Sequence, residues 1–243
     1  HINQKIMFLT FKIANIFTTI DTRINRSSSE QNDMIENEFW NMISLLELVL
    51  AHNKLEEPQS IHNISYFTEQ IYKEVQLNYP KLNISDEEIE NVSKLATIHD
   101  IGKLFTPYEI LNKKGKLTKD EMDIIKKHPL NGANMALKLP KCGKASKLVQ
   151  YAYNICLYHH ERYDGQGYPK GLIGDEIPLC AQVVGLADAY DALISERPYK
   201  RKINHGEAVR MIVNGECGSF SPKVILSFII ASMNKTWIEK VSK

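Results

Sequence analysis

A chain of 243 residues with 43% hydrophobic content is long enough to bury a full core, and its 24% charged residues are ordinary for a folded domain. A formal net charge of +1 excludes the overall basic signature of a nucleic-acid-polymer binder, so any phosphate recognition must be local. The four cysteines, Cys142, Cys156, Cys180 and Cys217, show no CxxC spacing, which argues against a zinc knuckle or disulfide framework and for a reducing, cytoplasmic setting.

The first stretch, "INQKIMFLTFKIANIFTTIDTRIN", places Ile6, Leu9, Ile13, Ile16 and Ile20 at alternating spacings of three and four. That is the pattern of a short coiled-coil or signalling helix suited to homodimer formation. Lys5 and Lys12 interrupt a run shorter than the ~20 apolar residues of a membrane helix, so no span is expected there. His1 in place of Met suggests a fragment or processed chain. The polar, serine-rich "RINRSSSEQND" reads as a linker, and "EFWNMISLLELVLAHNKL" as an amphipathic helix after it. The expected organisation is an N-terminal helix and linker over 1–37 and one domain over 38–243. No alternating strand pattern of useful length occurs, so an all-α fold is expected.

The stretch "ATIHDIGKL", residues 96–104, sets a histidine beside an aspartate within an apolar run. Upstream, Ser85 and Glu88 read as a capping box, and Ile89, Val92, Ala96 and His99 then recur three or four residues apart, bringing His99 onto the core face. A buried imidazole next to a buried carboxylate is costly unless both are paired, and a divalent cation pairs both. Further candidates have similar settings. Thr118 and Glu121 read as a second capping box ahead of Ile124 and His128. Leu148, Ala152, Ile155 and His159 share a face, with His160 beside them; Ala181, Val184 and Asp188 are in register; His62 is followed by Tyr66 and Glu69. The set His62, His99, Asp100, His128, His159, His160 and Asp188 mixes imidazole and carboxylate as manganese, iron or zinc sites do. Seven ligands suit two adjacent ions sharing a carboxylate better than one tetrahedral zinc.

Four ordered motifs, "HDIGK", "HHERYDGQGYPKGLIGDEIP", "ADAYDAL" and "RPYK", resemble the HD-GYP branch of the HD-domain phosphohydrolases over roughly residues 40–230. The resemblance implies an HD-domain helical bundle with the HD-GYP C-terminal extension. It also implies metal-dependent hydrolysis of the bacterial second messenger cyclic di-GMP to linear pGpG, with a second cleavage to GMP left open. Two divalent ions, iron or manganese, are implied, with Asp100 bridging them, His62 and Asp188 completing the shell of one, and His128, His159 and His160 holding the other. Lys103 would face the scissile phosphate, Gly167, Tyr168 and Pro169 would shape one wall of the nucleotide site, and Arg197 and Lys200 would contact phosphate. Some members carry a glutamate four residues before the first histidine and bind a third metal; Pro58 stands there, which favours two ions. Ser221 stands where an aspartate is common. Asp164 reads as a turn former and Glu161 as solvated or behind the ligands. The alternatives are a cyclic-dinucleotide sensor or scaffold with little turnover, and a preference for cyclic GMP-AMP.

Overall fold

The computed structural model describes residues 29–53, 55, 57–141, 143, 145–195 and 202–241. The predicted N-terminal coiled-coil face, Arg197 and Lys200 lie outside them. Among the described residues the regular elements are all helices, with one isolated β-bridge, Asp164 to Ile173, and no strand. The all-α expectation holds. No described helix is long and apolar enough to cross a membrane.

The chain divides into two compact units, residues 1–56 with 98–157, and residues 57–97 with 158–243. In the first, helix α1, Ser29–His52, buries Ile35, Phe39, Met42, Ile43, Leu46, Val49 and Leu50, an i, i+3, i+4 stripe along its length. It starts earlier than the hydrophobic pattern suggests, inside the serine-rich stretch read as linker. Asp33 sits near its start, where a carboxylate favours the positive end of the helix dipole. A 3-10 turn, Ile101–Phe105, is followed by α4, Tyr108–Leu111, and α5, Lys119–Ile125. The predicted Thr118–Glu121 capping box opens α5 in full, each residue's side chain bonding the other's backbone N–H. Next come α6, His128–Ala136, and α7, Ala145–Tyr158, which buries Leu148, Ala152 and Ile155 as the spacing predicts.

The second unit holds α2, Pro58–Asn78, and α3, Asp86–Ala96, then α8, Leu179–Ile194, α9, His205–Val213, α10, Pro222–Ser232, and α11, Lys235–Val241. Pro58 takes the first turn of α2, where its missing N–H costs nothing. Helix α2 is central and packs on α3, α8 and α10. An aromatic cluster fastens the C-terminal helix to it: the Phe67 ring lies 4.6 Å from Trp237 and 4.9 Å from Tyr190 between centroids. The buried Tyr190 hydroxyl accepts the Trp237 indole N–H at 3.1 Å and pairs with His205 Nδ1 at 2.8 Å. At α3, Ser85 caps Glu88 N–H as predicted, while the Glu88 carboxylate accepts the Tyr72 hydroxyl at 2.6 Å and so binds α3 to α2.

Candidate metal centre

The HD pair lies in the turn that follows α3. That helix stops at Ala96, and Asp100 caps the 3-10 turn Ile101–Phe105, so the regular α-helical register read through His99 ends one turn early. Both side chains are buried all the same, His99 at 3% and Asp100 at 4% exposure. The turn is held against the start of α6 by Gly102, where an added Cβ would lie 1.9 Å from the His128 carbonyl oxygen. Helix α5 ends at Ile125 and His128 begins a new helix. Pro129 explains the break, because it has no N–H to bond the Ile125 carbonyl and its ring crowds that oxygen, whereas the first turn of a new helix tolerates it.

Asp100 is the anionic hub. Its Oδ1 lies 3.0 Å from His128 Nε2, its Oδ2 lies 3.3 Å from His99 Nε2, and the Lys103 ammonium closes on the same oxygen. Burial by itself raises the Asp100 carboxyl, yet Lys103, His99 and His128 together hold it well below the usual carboxylate range. His128 Nδ1 faces the Ile125 carbonyl at 2.8 Å, so this nitrogen carries the proton and Nε2 is the one turned to the carboxylate. A lone pair facing a carboxylate is repulsive until a cation, a proton or a metal ion, lies between them. A backbone carbonyl on the far nitrogen is the usual support of a metal-ligating histidine.

His159 and His160 follow the last turn of α7, with ring centroids 4.1 Å apart; His159 is fully buried and His160 half-buried. Helix α8 comes so close to His159 that an added Cβ at Gly185 would sit 2.3 Å from its carbonyl oxygen. Asp188 lies one turn further along α8, half-buried. Asp100, His128, His159 and His160 each offer one ligand atom, and these atoms all lie within 4.8 Å of one another. Three imidazoles and a carboxylate form a donor set suited to a first-row divalent metal. His99 flanks this group through Asp100. His62 is exposed on α2, whose packed residues are Ile61, Ile64, Phe67 and Ile71, and it stands outside the group.

The loop after His160 folds back on its own start. Tyr168 stacks on His160 at 4.8 Å between centroids, and its N–H donates to the His160 carbonyl. Gly167 rests so closely on the Glu161–Arg162 backbone that an added Cβ would lie 2.3 Å from Arg162 N, and Pro169 follows. Asp164 makes the expected turn, accepting Gln166 N–H at 3.0 Å. Glu161 has a larger part than the sequence suggested. It is 4% exposed and accepts the backbone N–H groups of Lys170 at 2.7 Å and Leu172 at 3.1 Å. Its position between two histidines and a glycine-rich loop was the available signal. Arg162 donates to the carbonyls of His159 and Glu161, sits over Phe220, and has its pKa lowered by burial against the opposing pull of Asp188.

Charge-assisted bonds such as those of Glu161 contribute about 1.5–3 kcal/mol each. Glu161→Ala is therefore expected to raise amide hydrogen exchange across residues 163–172 by at least about tenfold while α2 and α10 keep their protection. Unchanged protection in that loop would show that other contacts hold it.

The fold and these ligands describe an all-helical protein with a histidine- and aspartate-rich centre for divalent metal. The family model described as "HD domain" matches residues 45–224, and the chain belongs to that family. It is 42% identical over 151 residues to a cyclic di-GMP phosphodiesterase of Pseudomonas aeruginosa, covering 62% of this chain and 35% of that protein. It is 30% identical over 206 residues to a cyclic di-GMP phosphodiesterase of Thermotoga maritima, covering 85% of this chain and 53% of that one. Among solved structures, a cyclic GMP-AMP-specific phosphodiesterase of Vibrio cholerae shares the fold with a TM-score of 0.57 at 18% identity, over 85% of this chain and 51% of that one. The chain thus spans about a third to a half of the length of these curated relatives.

Proposed function

We propose that this chain is the catalytic portion of an HD-GYP phosphodiesterase that hydrolyses cyclic di-GMP to linear pGpG. The observation that carries the reading is the convergence of Asp100, His128, His159 and His160 within 4.8 Å, next to a loop in which Tyr168 stacks on His160. The relatives named as cyclic di-GMP phosphodiesterases support the substrate. Two divalent ions, iron or manganese, suit the donor set, and His99, Asp100, His128, His159, His160 and Asp188 would hold them. His62, exposed on α2, is left out of this assignment.

Bound at these residues, such ions supply Lewis acidity toward phosphate oxygens and lower the pKa of an attacking water. The protein's own groups do the rest. Asp100 and the three imidazoles would hold the ions, and the carbonyl on His128 Nδ1 keeps its Nε2 turned to Asp100. Lys103 pairs with Asp100 and is 22% exposed at its side chain, so its ammonium can turn toward a phosphate oxygen whose charge grows during attack. Tyr168 and the backbone around Gly167 form a wall beside the ligands. Arg197, with its bidentate guanidinium, suits the second phosphate of a cyclic dinucleotide, assisted by Lys200.

Kinetics of two variants test this division. Lys103→Ala should lower kcat by about 10²-fold with a smaller change in KM, because its contact strengthens only in the transition state. Arg197→Ala should mainly raise KM for cyclic di-GMP and leave bis(p-nitrophenyl) phosphate hydrolysis nearly unchanged. Equal damage by Arg197→Ala on both substrates would reject the two-phosphate model. Binding of cyclic di-GMP without turnover in manganese or ferrous iron would instead make the chain a sensor, and faster turnover of cyclic GMP-AMP would reassign the substrate.

A further inference from the structure

We propose that Asp191 is a positioning residue of the metal centre: by clasping α2 to α8 it sets the direction of Asp188, one helical turn earlier on α8. The inference rests on the reading above that Asp188 contributes to that centre.

Asp191 is 1% exposed, and three neutral donors take up its two oxygens. Ser60 Oγ donates to Oδ2 at 2.6 Å, Asn63 Nδ2 donates to Oδ1 at 2.8 Å, and Ser195 Oγ donates to Oδ1 at 3.0 Å. The first two belong to α2, and the third stands at the C-terminal end of α8, where the Ser195 N–H also donates to the Asp191 carbonyl at 2.9 Å. Among the described residues these partners are neutral, a costly setting for a buried carboxylate, and an apolar side chain would pack two helices at lower cost. What a carboxylate adds is an acceptor-only group whose two oxygens take donors from two elements at once, which fixes rotation and slide of α8 against α2. Ordinary packing leaves such freedom.

The other end of this lever is equally constrained. Gly185 is seated against the His159 carbonyl, so α8 is pinned one turn before Asp188 at the ligand histidine and one turn after it at the clasp. Asp188 therefore sits on a stretch of α8 held on both sides. Its field reaches both neighbours, opposing the lowering of the Arg162 pKa and adding to the burial that raises the Asp191 carboxyl. Asp191 itself is not a ligand in this arrangement, because its oxygens point to Ser60, Asn63 and Ser195. The exposed His62 lies between the two clasp donors in sequence.

A double-mutant cycle on Mn²⁺ affinity, measured by calorimetric titration of the full chain, separates positioning from general stabilisation. Asp191→Ala, and separately the Ser60→Ala, Asn63→Ala double variant, should each weaken Mn²⁺ binding by about 10- to 100-fold, the usual cost of removing a group that orients a ligand. In an Asp188→Ala background the same changes should weaken binding by less than about twofold, since the residue they act through is gone. Equal losses in both backgrounds, or no loss in either, would overturn the proposal. The Ser60, Asn63 variant keeps the test decisive if Asp191→Ala fails to fold. Unchanged affinity in Asp188→Ala alone would instead remove Asp188 from the metal centre and overturn the functional reading at that residue, a distinct result.

Discussion

Asp100→Ala is expected to abolish metal binding and turnover together. The carboxylate touches His99, His128 and Lys103 at once, so its removal deletes a ligand and also leaves two imidazoles and an ammonium facing one another in a buried space. Breaking a buried charge cluster by removing one member typically costs about 3–5 kcal/mol, so the metal-free variant should also melt at lower temperature. Mutating a group that merely supports a ligand costs about 10- to 100-fold in metal affinity, and loss of a shared ligand should exceed that. Elemental analysis after equilibration with manganese, together with steady-state turnover, reads both effects. Two ions per chain and near-normal turnover in Asp100→Ala would refute its role as a shared ligand.

Gly102→Ala should be nearly as damaging although it removes no functional group. The added methyl would sit 1.9 Å from the His128 carbonyl oxygen and 2.5 Å from Gly132 N, both backbone atoms of α6 that cannot rotate aside. Ordinary carbon contacts need about 3.5–4.0 Å, so the turn carrying Asp100 must retreat from the helix carrying His128. Overpacking of this kind costs about 1–3 kcal/mol and sometimes more, and contact with main chain places this site at the upper end. The expected result is a lower melting temperature in the metal-free chain and manganese affinity reduced by more than about tenfold. Thermal unfolding and metal titration check both. A variant that melts and binds like the parent would mean that the turn and α6 have slack the geometry denies.

Much of the centre was legible in the amino-acid order. Capping at Ser85 and Thr118, and periodic apolar residues ahead of His99 and His159, located helices and their buried faces, because both signals act within a few residues of chain. The same local logic failed at His128, where Pro129 starts a new helix, and at the serine-rich stretch before α1, where burial of Ile35 and Phe39 accompanies a helix that composition alone argues against. Nor does periodicity show that Ser60 and Asn63, on either side of His62, bond α8.

By itself, then, the order of residues determined the all-α class, nominated the imidazole and carboxylate candidates and marked the glycine-rich loop after His160, since each is written in contiguous motifs. Only the tertiary structure decided that Asp100, His128, His159 and His160 converge, that Glu161 ties down the loop, that Gly102 and Gly185 admit close backbone contacts, and that Asp191 joins α2 to α8. These depend on contacts between residues as far as 131 positions apart, and such pairings arise from packing of whole helices, which local periodicity does not encode.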